Sequence, residues 1–218
     1  MRFAYKAKKR NSGNRKRRRI ILLATEGKNK TEVNYFRSFA NKDYNFVFAR
    51  GNETDPVRMS KHLIEDYAYH DLDKDLGDLA FCVIDGDLSS EKEKQIYEAE
   101  QIIKRIGKVI VSNPCIEVWF LCHYINSTKQ YSSNNEVIQR LKVYIPNYTK
   151  NMLEIGEILS DKVGIAVKNA KCLEEYNYND QRELHKCHFQ PSSEVYKIIE
   201  MINSDMWAIG TTLDYEKL

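Results

Sequence analysis

Two acidic motifs follow two apolar runs in this 218-residue chain: Glu26 comes just after Ile20 to Ala24, and Asp85-Gly86-Asp87 directly after Leu79 to Ile84. Carboxylates held close together repel unless a cation neutralises them or some take up protons. An oxygen-only donor set favours Mg2+, with Mn2+ also admitted, over zinc. In extended chain, residues i and i+2 point to the same side, so Asp85 and Asp87 can reach one ion. Gly86 between them lets the backbone bend. Such an ion meets a phosphate, polarises a phosphoryl oxygen and activates a water or stabilises a leaving oxygen. Each motif alone has a plainer reading, since acidic strand ends also cap helices or face solvent. Two of them closing buried strands of one sheet are more informative.

The elements that must position them follow from pattern. A continuous apolar run suits a strand buried on both faces. Ligands of a parallel sheet bind beyond the carboxyl ends of its strands, which is where both motifs fall. Thr31 opens a helical pattern through Val33, Phe36 and Phe39, and Asn45 to Ala49 is a further short strand. Asp55-Pro56 starts a helix striped by Val57, Leu63, Ile64 and Tyr67. Ser89 or Ser90 caps a helix over residues 91–106, which Gly107 stops. Lys108 to Val111 is a fourth strand, and Ser112-Asn113-Pro114 turns the chain into an apolar helix, Ile116 to Ile125. This alternation predicts an α/β fold with a four-stranded, mainly parallel sheet flanked by helices. From residue 127 the pattern changes to helices near 134–143, 149–160, 162–175 and 192–203, with a polar link over 176–180. We read residues 19–126 as the α/β core and 127–218 as a C-terminal helical elaboration of the same domain.

Residues 1–19 hold ten Lys or Arg and no acid; the whole chain carries +3, so the remainder carries −7. Residues 1–18 are expected to be a disordered basic arm, too self-repelling to fold alone. Lys16, Arg17, Arg18 and Arg19 could bind polyphosphate through counterion release, or could simply solubilise the chain. Lys28 and Lys30, in the loop after Glu26, are candidates for the same contact. The five cysteines are scattered, which fits reduced thiols in a cytoplasmic protein. His185-Lys186-Cys187-His188 lacks a second ligand pair at zinc spacing. No run approaches the roughly 18–20 apolar residues of a membrane span.

Arg19 to Gly27, followed by a helix and later by Phe81 to Asp87, resembles a Toprim domain, the catalytic module of topoisomerases, bacterial primases and several nucleases. That resemblance implies Glu26 as general acid/base and metal neighbour, and Asp85 and Asp87 as magnesium ligands. A narrower match is to the RloB-like family, through Glu26 to Phe36, Ser112 to Tyr124, Tyr148-Thr149-Lys150 and Pro191 to Tyr196. It covers about residues 19–203 and implies a Toprim-like nuclease of restriction-associated or abortive-infection loci, often paired with an ABC- or AAA-type ATPase. It adds Glu117, either as a further metal ligand or as a buried carboxylate paired to a base. It also adds Lys150, either neutralising phosphate charge at the transition state or merely solvated. The spacer Lys28-Asn29-Lys30 is longer than the usual Glu-Gly-x-Thr-Glu form and leaves Glu32 outside the assigned set. Asn113, with Ser112, could offer backbone donors to phosphate at a helix start or be a plain cap.

The expected function is a Mg2+-dependent nuclease whose partners are nucleic acid and an ATPase. The competing readings are a non-catalytic subunit that binds nucleic acid or the ATPase, and a small-molecule phosphotransferase. No Walker-type phosphate loop is present. Oligomeric state is left open, a homodimer being among the arrangements allowed.

Overall fold

A computed structural model describes residues 17–27, 30–41 and 43–208, with side chains as far as residue 203. Lys16, Lys28 and nearly all of the expected basic arm lie outside the described residues.

In β1 (Arg19–Thr25), Ile21 and Leu23 enter one core cluster while Leu22 and Ala24 enter the other. β3 (Leu79–Asp85) divides Phe81 and Val83 from Ala80, Cys82 and Ile84 in the same way. A strand covered on both faces has no polar alternate positions, hence the unbroken apolar runs. β2 (Tyr44–Phe48) and β4 (Lys108–Asn113) lie outside this pair. The order is β2-β1-β3-β4 and these strands are all parallel. The architecture is α/β, as the alternation predicts.

The pattern predicts four strands; among the described residues the sheet has five. β5 (Ser192–Ser193) runs antiparallel to β4, pairing Ser193 with Ser112 and Ser192 with Asn113. Two residues are too few to show alternation. A backbone bond from Glu194 N to Val111 O at 2.9 Å holds the pairing, and side chains add to it. Ser112 Oγ and Ser193 Oγ share a hydrogen bond of 2.8 Å, and the Glu194 carboxylate accepts from Val111 N at 3.0 Å.

Helices α2 (Pro56–Tyr69) and α3 (Ser90–Ile103) cover one face of the sheet. Asp55 caps α2 by accepting from Arg58 N at 2.8 Å, and Ser89 caps α3 by accepting from Lys92 N at 3.3 Å. The other face is covered by α1 (Thr31–Arg37), α4 (Glu117–Cys122), α5 (Asn134–Leu141), α6 (Ile155–Leu159), α7 (Val163–Asn179) and α8 (Val195–Ala208). The helix expected over 149–160 forms only as α6, and the one expected over 192–203 begins after β5. The polar stretch 176–180 is no link, since α7 runs on to Asn179. Asn177 is buried there, and its amide donates to Leu173 O and Pro191 O at 2.8 and 3.0 Å. A polar residue placed to bond a distant carbonyl continues the helix where composition alone suggests a break. Among the described residues, no helix is long and apolar enough to cross a membrane.

His185 ties the 180s loop to the rest of the fold. Its Nδ1 lies 2.9 Å from Glu100 Oε1, and its Nε2 lies 2.8 Å from Glu194 Oε2. Burial pulls the imidazolium pKa down, but the two carboxylates win and lift it to about 9. A group raised in the folded state contributes stability below its unfolded pKa and loses it as pH climbs through the folded one. This group should therefore make the unfolding free energy fall between pH 6.5 and about 9. His185→Gln should flatten that slope in urea titrations repeated across the range; an unaltered slope would count against the pairing.

Candidate metal and phosphodiester site

Parallel register brings the two motifs together. Thr25 is level with Val83, so Glu26 emerges beside the end of β3. There its Oε1 accepts from Asp85 N at 3.0 Å. Asp85 is level with Ser112, so it faces the turn from β4 into α4, where its Oδ1 accepts from Ile116 N at 2.8 Å. Gly86 is needed for space, because a Cβ there would lie 2.7 Å from Asn113 Oδ1. The chain then takes a left-handed turn at Asp87 and Leu88, with φ of 52° and 53°. Non-glycine residues adopt that conformation only where their surroundings hold them. Asp87 is so held: Asn134 Nδ2 donates to its Oδ1 at 2.6 Å, and Lys92 Nζ lies 2.5 Å from its Oδ2.

Two further carboxylates enter from the opposite wall. Glu32 lies in the first turn of α1 and is 6% exposed; Glu117 opens α4 and is fully buried. Tyr148 donates its hydroxyl hydrogen to Glu117 Oε1 at 2.9 Å. The segment carrying Tyr148 and Lys150 is pinned to the start of α1. Asn151 N donates to Thr31 Oγ1 at 3.1 Å, and Asn151 Oδ1 accepts from Lys30 N at 2.8 Å. The result is an open cavity of about 150 Å³ lined by Glu26, Glu32, Asp85, Asp87, Glu117 and Lys150, among others.

So many acids in one place perturb each other. Burial lifts Glu26 to about 7, against the pull of Lys92. Burial also lifts Glu32 to about 7, with Glu117 and Glu26 adding to the shift. Asp85 is pushed well above the usual carboxylate range by burial, then by Glu32, Glu26 and Glu117. Lys92 and Lys150 respond in the opposite sense. Burial disfavours their charge, but nearby carboxylates outweigh it and raise both.

The donor set fits a hard divalent cation in its chemistry. It is all oxygen, and among the described residues two buried oxygens, Glu32 Oε2 and Glu117 Oε2, have no hydrogen-bond partner. It is not a closed cage. Among the described residues, no three His, Cys, Asp or Glu side chains already stand together as a metal cluster. Side chains would have to turn inward to hold an ion.

The structure thus brings Glu26, Asp85, Asp87, Glu117 and Lys150 together, and it adds three residues that spacing did not reveal. Glu32 joins despite the longer spacer. Lys92 has one faint signal, its place in the first turn of the helix after Asp87. Asn134 has none, because it arrives from a separate helix. The remaining candidates lie elsewhere. Arg17 pairs with Asp78 through two hydrogen bonds of 2.9 and 2.8 Å. It lies with Arg18 and Arg19 at the start of β1, a strand length away from Glu26 at its other end. Asn113 is buried, and its side-chain amide donates to the carbonyls of Lys186, Cys187 and Phe189. Lys30 offers an exposed side chain beside the cavity wall. His123 is buried between Trp119 O and the Tyr35 hydroxyl, and burial lowers its pKa to about 4, so it is neutral.

No curated protein and no solved structure matches this chain. One family model does, described as RloB-like protein, and the match runs over residues 21–202, from within β1 to within α8. That span takes in the sheet, every carboxylate of the cavity and Lys150, and on it the chain belongs to the RloB-like family.

Proposed function

We propose that the protein is a divalent-cation-dependent phosphodiesterase acting on nucleic acid, working with an ATPase partner in antiviral defence. The observation that carries the chemistry is the convergence of five carboxylates with Lys150 around one open, polar cavity at the strand ends. The ATPase and the defence setting rest on the family resemblance. A bound Mg2+ or Mn2+ would polarise a phosphoryl oxygen. Asp85, Glu117 and their carboxylate neighbours would hold it. Glu26, with its pKa near 7, is suited to take a proton from an attacking water at working pH. Lys150 would meet the phosphate charge that builds at the transition state.

A second reading, a non-catalytic binding subunit, draws on one observation: Lys92 already occupies Glu26 and Asp87. Purified protein with Mg2+ or Mn2+, tested on DNA, messenger RNA and transfer RNA with and without its ATPase, separates the two. We expect metal-dependent cleavage that Glu26→Gln lowers by about 10²-fold or more, the scale of general acid–base catalysis. Metal-independent binding with no turnover under any condition would support the second reading instead.

A further inference from the structure

The carboxylates of the cavity fall into two sets according to what already holds them. Glu26 and Asp87 form the first. Lys92 Nζ lies 2.8 and 2.9 Å from the two oxygens of Glu26 and 2.5 Å from Asp87 Oδ2. Asp85 N serves Glu26 Oε1 as well, and Asn134 serves Asp87 Oδ1. Every oxygen of this pair therefore has a donor. The ammonium is not a wandering surface charge, because the Lys92 side chain is only 9% exposed and its backbone N is bound by the Ser89 cap.

Glu32, Asp85 and Glu117 form the second set. Among the described residues, no ammonium sits within salt-bridge distance of them. Glu117 and Glu32 both line the shared cavity and are more than nine-tenths buried, and among the described residues one oxygen of each has no hydrogen-bond partner. A buried carboxylate oxygen with no partner carries a desolvation cost that a bound cation would remove. A dication placed instead between Glu26 and Asp87 would have to expel Lys92 or sit beside it, and like charges at a few ångströms repel strongly in a half-buried site.

We propose that Lys92 stands in for a second metal ion, so that the cavity takes a single divalent cation, held by Asp85, Glu32 and Glu117. The proposal rests on the metal-dependent reading above and goes beyond it. It adds Glu32 as a ligand, makes Lys92 the built-in counterion of Glu26 and Asp87, and takes Asp87 out of the ligand set that the resemblance implies.

The test is Mn2+ binding to the full chain, followed by electron paramagnetic resonance of the free ion and by equilibrium dialysis, with no substrate present. The wild type should bind one Mn2+ per chain. Glu117→Gln should weaken that binding about tenfold or more, the scale on which metal sites respond to altered ligand shells. Asp87→Asn should leave the affinity within about threefold, well under that scale. Lys92→Met should admit a second Mn2+. Two ions per wild-type chain, or a loss in Asp87→Asn as large as in Glu117→Gln, would overturn the single-ion site while leaving the metal-dependent reading standing. No Mn2+ binding at all would remove both. Circular dichroism checks each variant's fold; if Lys92→Met does not fold, the contrast between Asp87→Asn and Glu117→Gln decides the matter.

Discussion

On the proposed phosphodiesterase activity, Asp85→Asn should lower metal-dependent cleavage by about 10²–10³-fold, the range seen when one electrostatic stabiliser is removed from an active site. The protein will stay folded. An asparagine oxygen can still accept from Ile116 N, so the link between β3 and α4 survives. What disappears is a charge in the middle of the cluster. In the native protein burial first, and then Glu32, Glu26 and Glu117, disfavour the ionised form of Asp85. Removing that charge relieves repulsion, so the metal-free variant should melt at the same temperature as wild type or higher. The wild type should gain thermal stability from Mg2+, because a ligand that binds only the folded state shifts the equilibrium toward it. The variant should lose that gain. Single-turnover cleavage and melting curves with and without Mg2+ provide the measurements. Activity at the wild-type level in Asp85→Asn would sink the site.

Trp119→Ala will destabilise the fold by about 3–5 kcal/mol, the usual cost of emptying a large aromatic position in a core. Trp119 is fully buried on α4. Its ring meets Tyr35 edge-on at 6.3 Å and His123 at 5.0 Å. α4 is a short helix hemmed in by the sheet and by α5 and α7, so neighbours have little freedom to fill the space. The loss also reaches the site, because Glu117 lies two residues earlier on the same helix. We expect a lower urea midpoint with an unchanged slope, together with weaker metal binding under conditions where the variant is still folded. A change below about 1 kcal/mol would mean that the core around α4 collapses far more easily than close packing allows.

Much of the architecture is legible from local pattern, and the reason is burial. β1 and β3 are covered on both faces, so their residues are apolar without interruption. Asp55 and Ser89 cap helices in the positions that their types and the following sequence suggest. Parallel strands end on the same side of a sheet, so Glu26 and the Asp85-Gly86-Asp87 turn meet once β1 and β3 are neighbours. β5 escapes detection because two residues carry no period, and because its pairing is completed by the backbone and side chain of Glu194 beyond it. The start of α7 is clear, but its end is not, since Asn177 is kept helical by a carbonyl 14 residues away.

The acidic pair on which the site turns thus follows from the chain alone: the strand runs, the motifs that close them, and the parallel geometry that places both at one edge. Which charges meet which does not. Lys92 reaches Glu26 across 66 residues, Tyr148 reaches Glu117 across 31, and Asn134 reaches Asp87 across 47. Asn113, one residue past Ser112, the β4 residue level with Asp85, directs its amide to three carbonyls of a distant loop. Spacing governs which side chains share a strand end or a helix face. The pairing of buried charges is set by which donors the folded chain brings within hydrogen-bond reach, and that depends on contacts far apart in sequence.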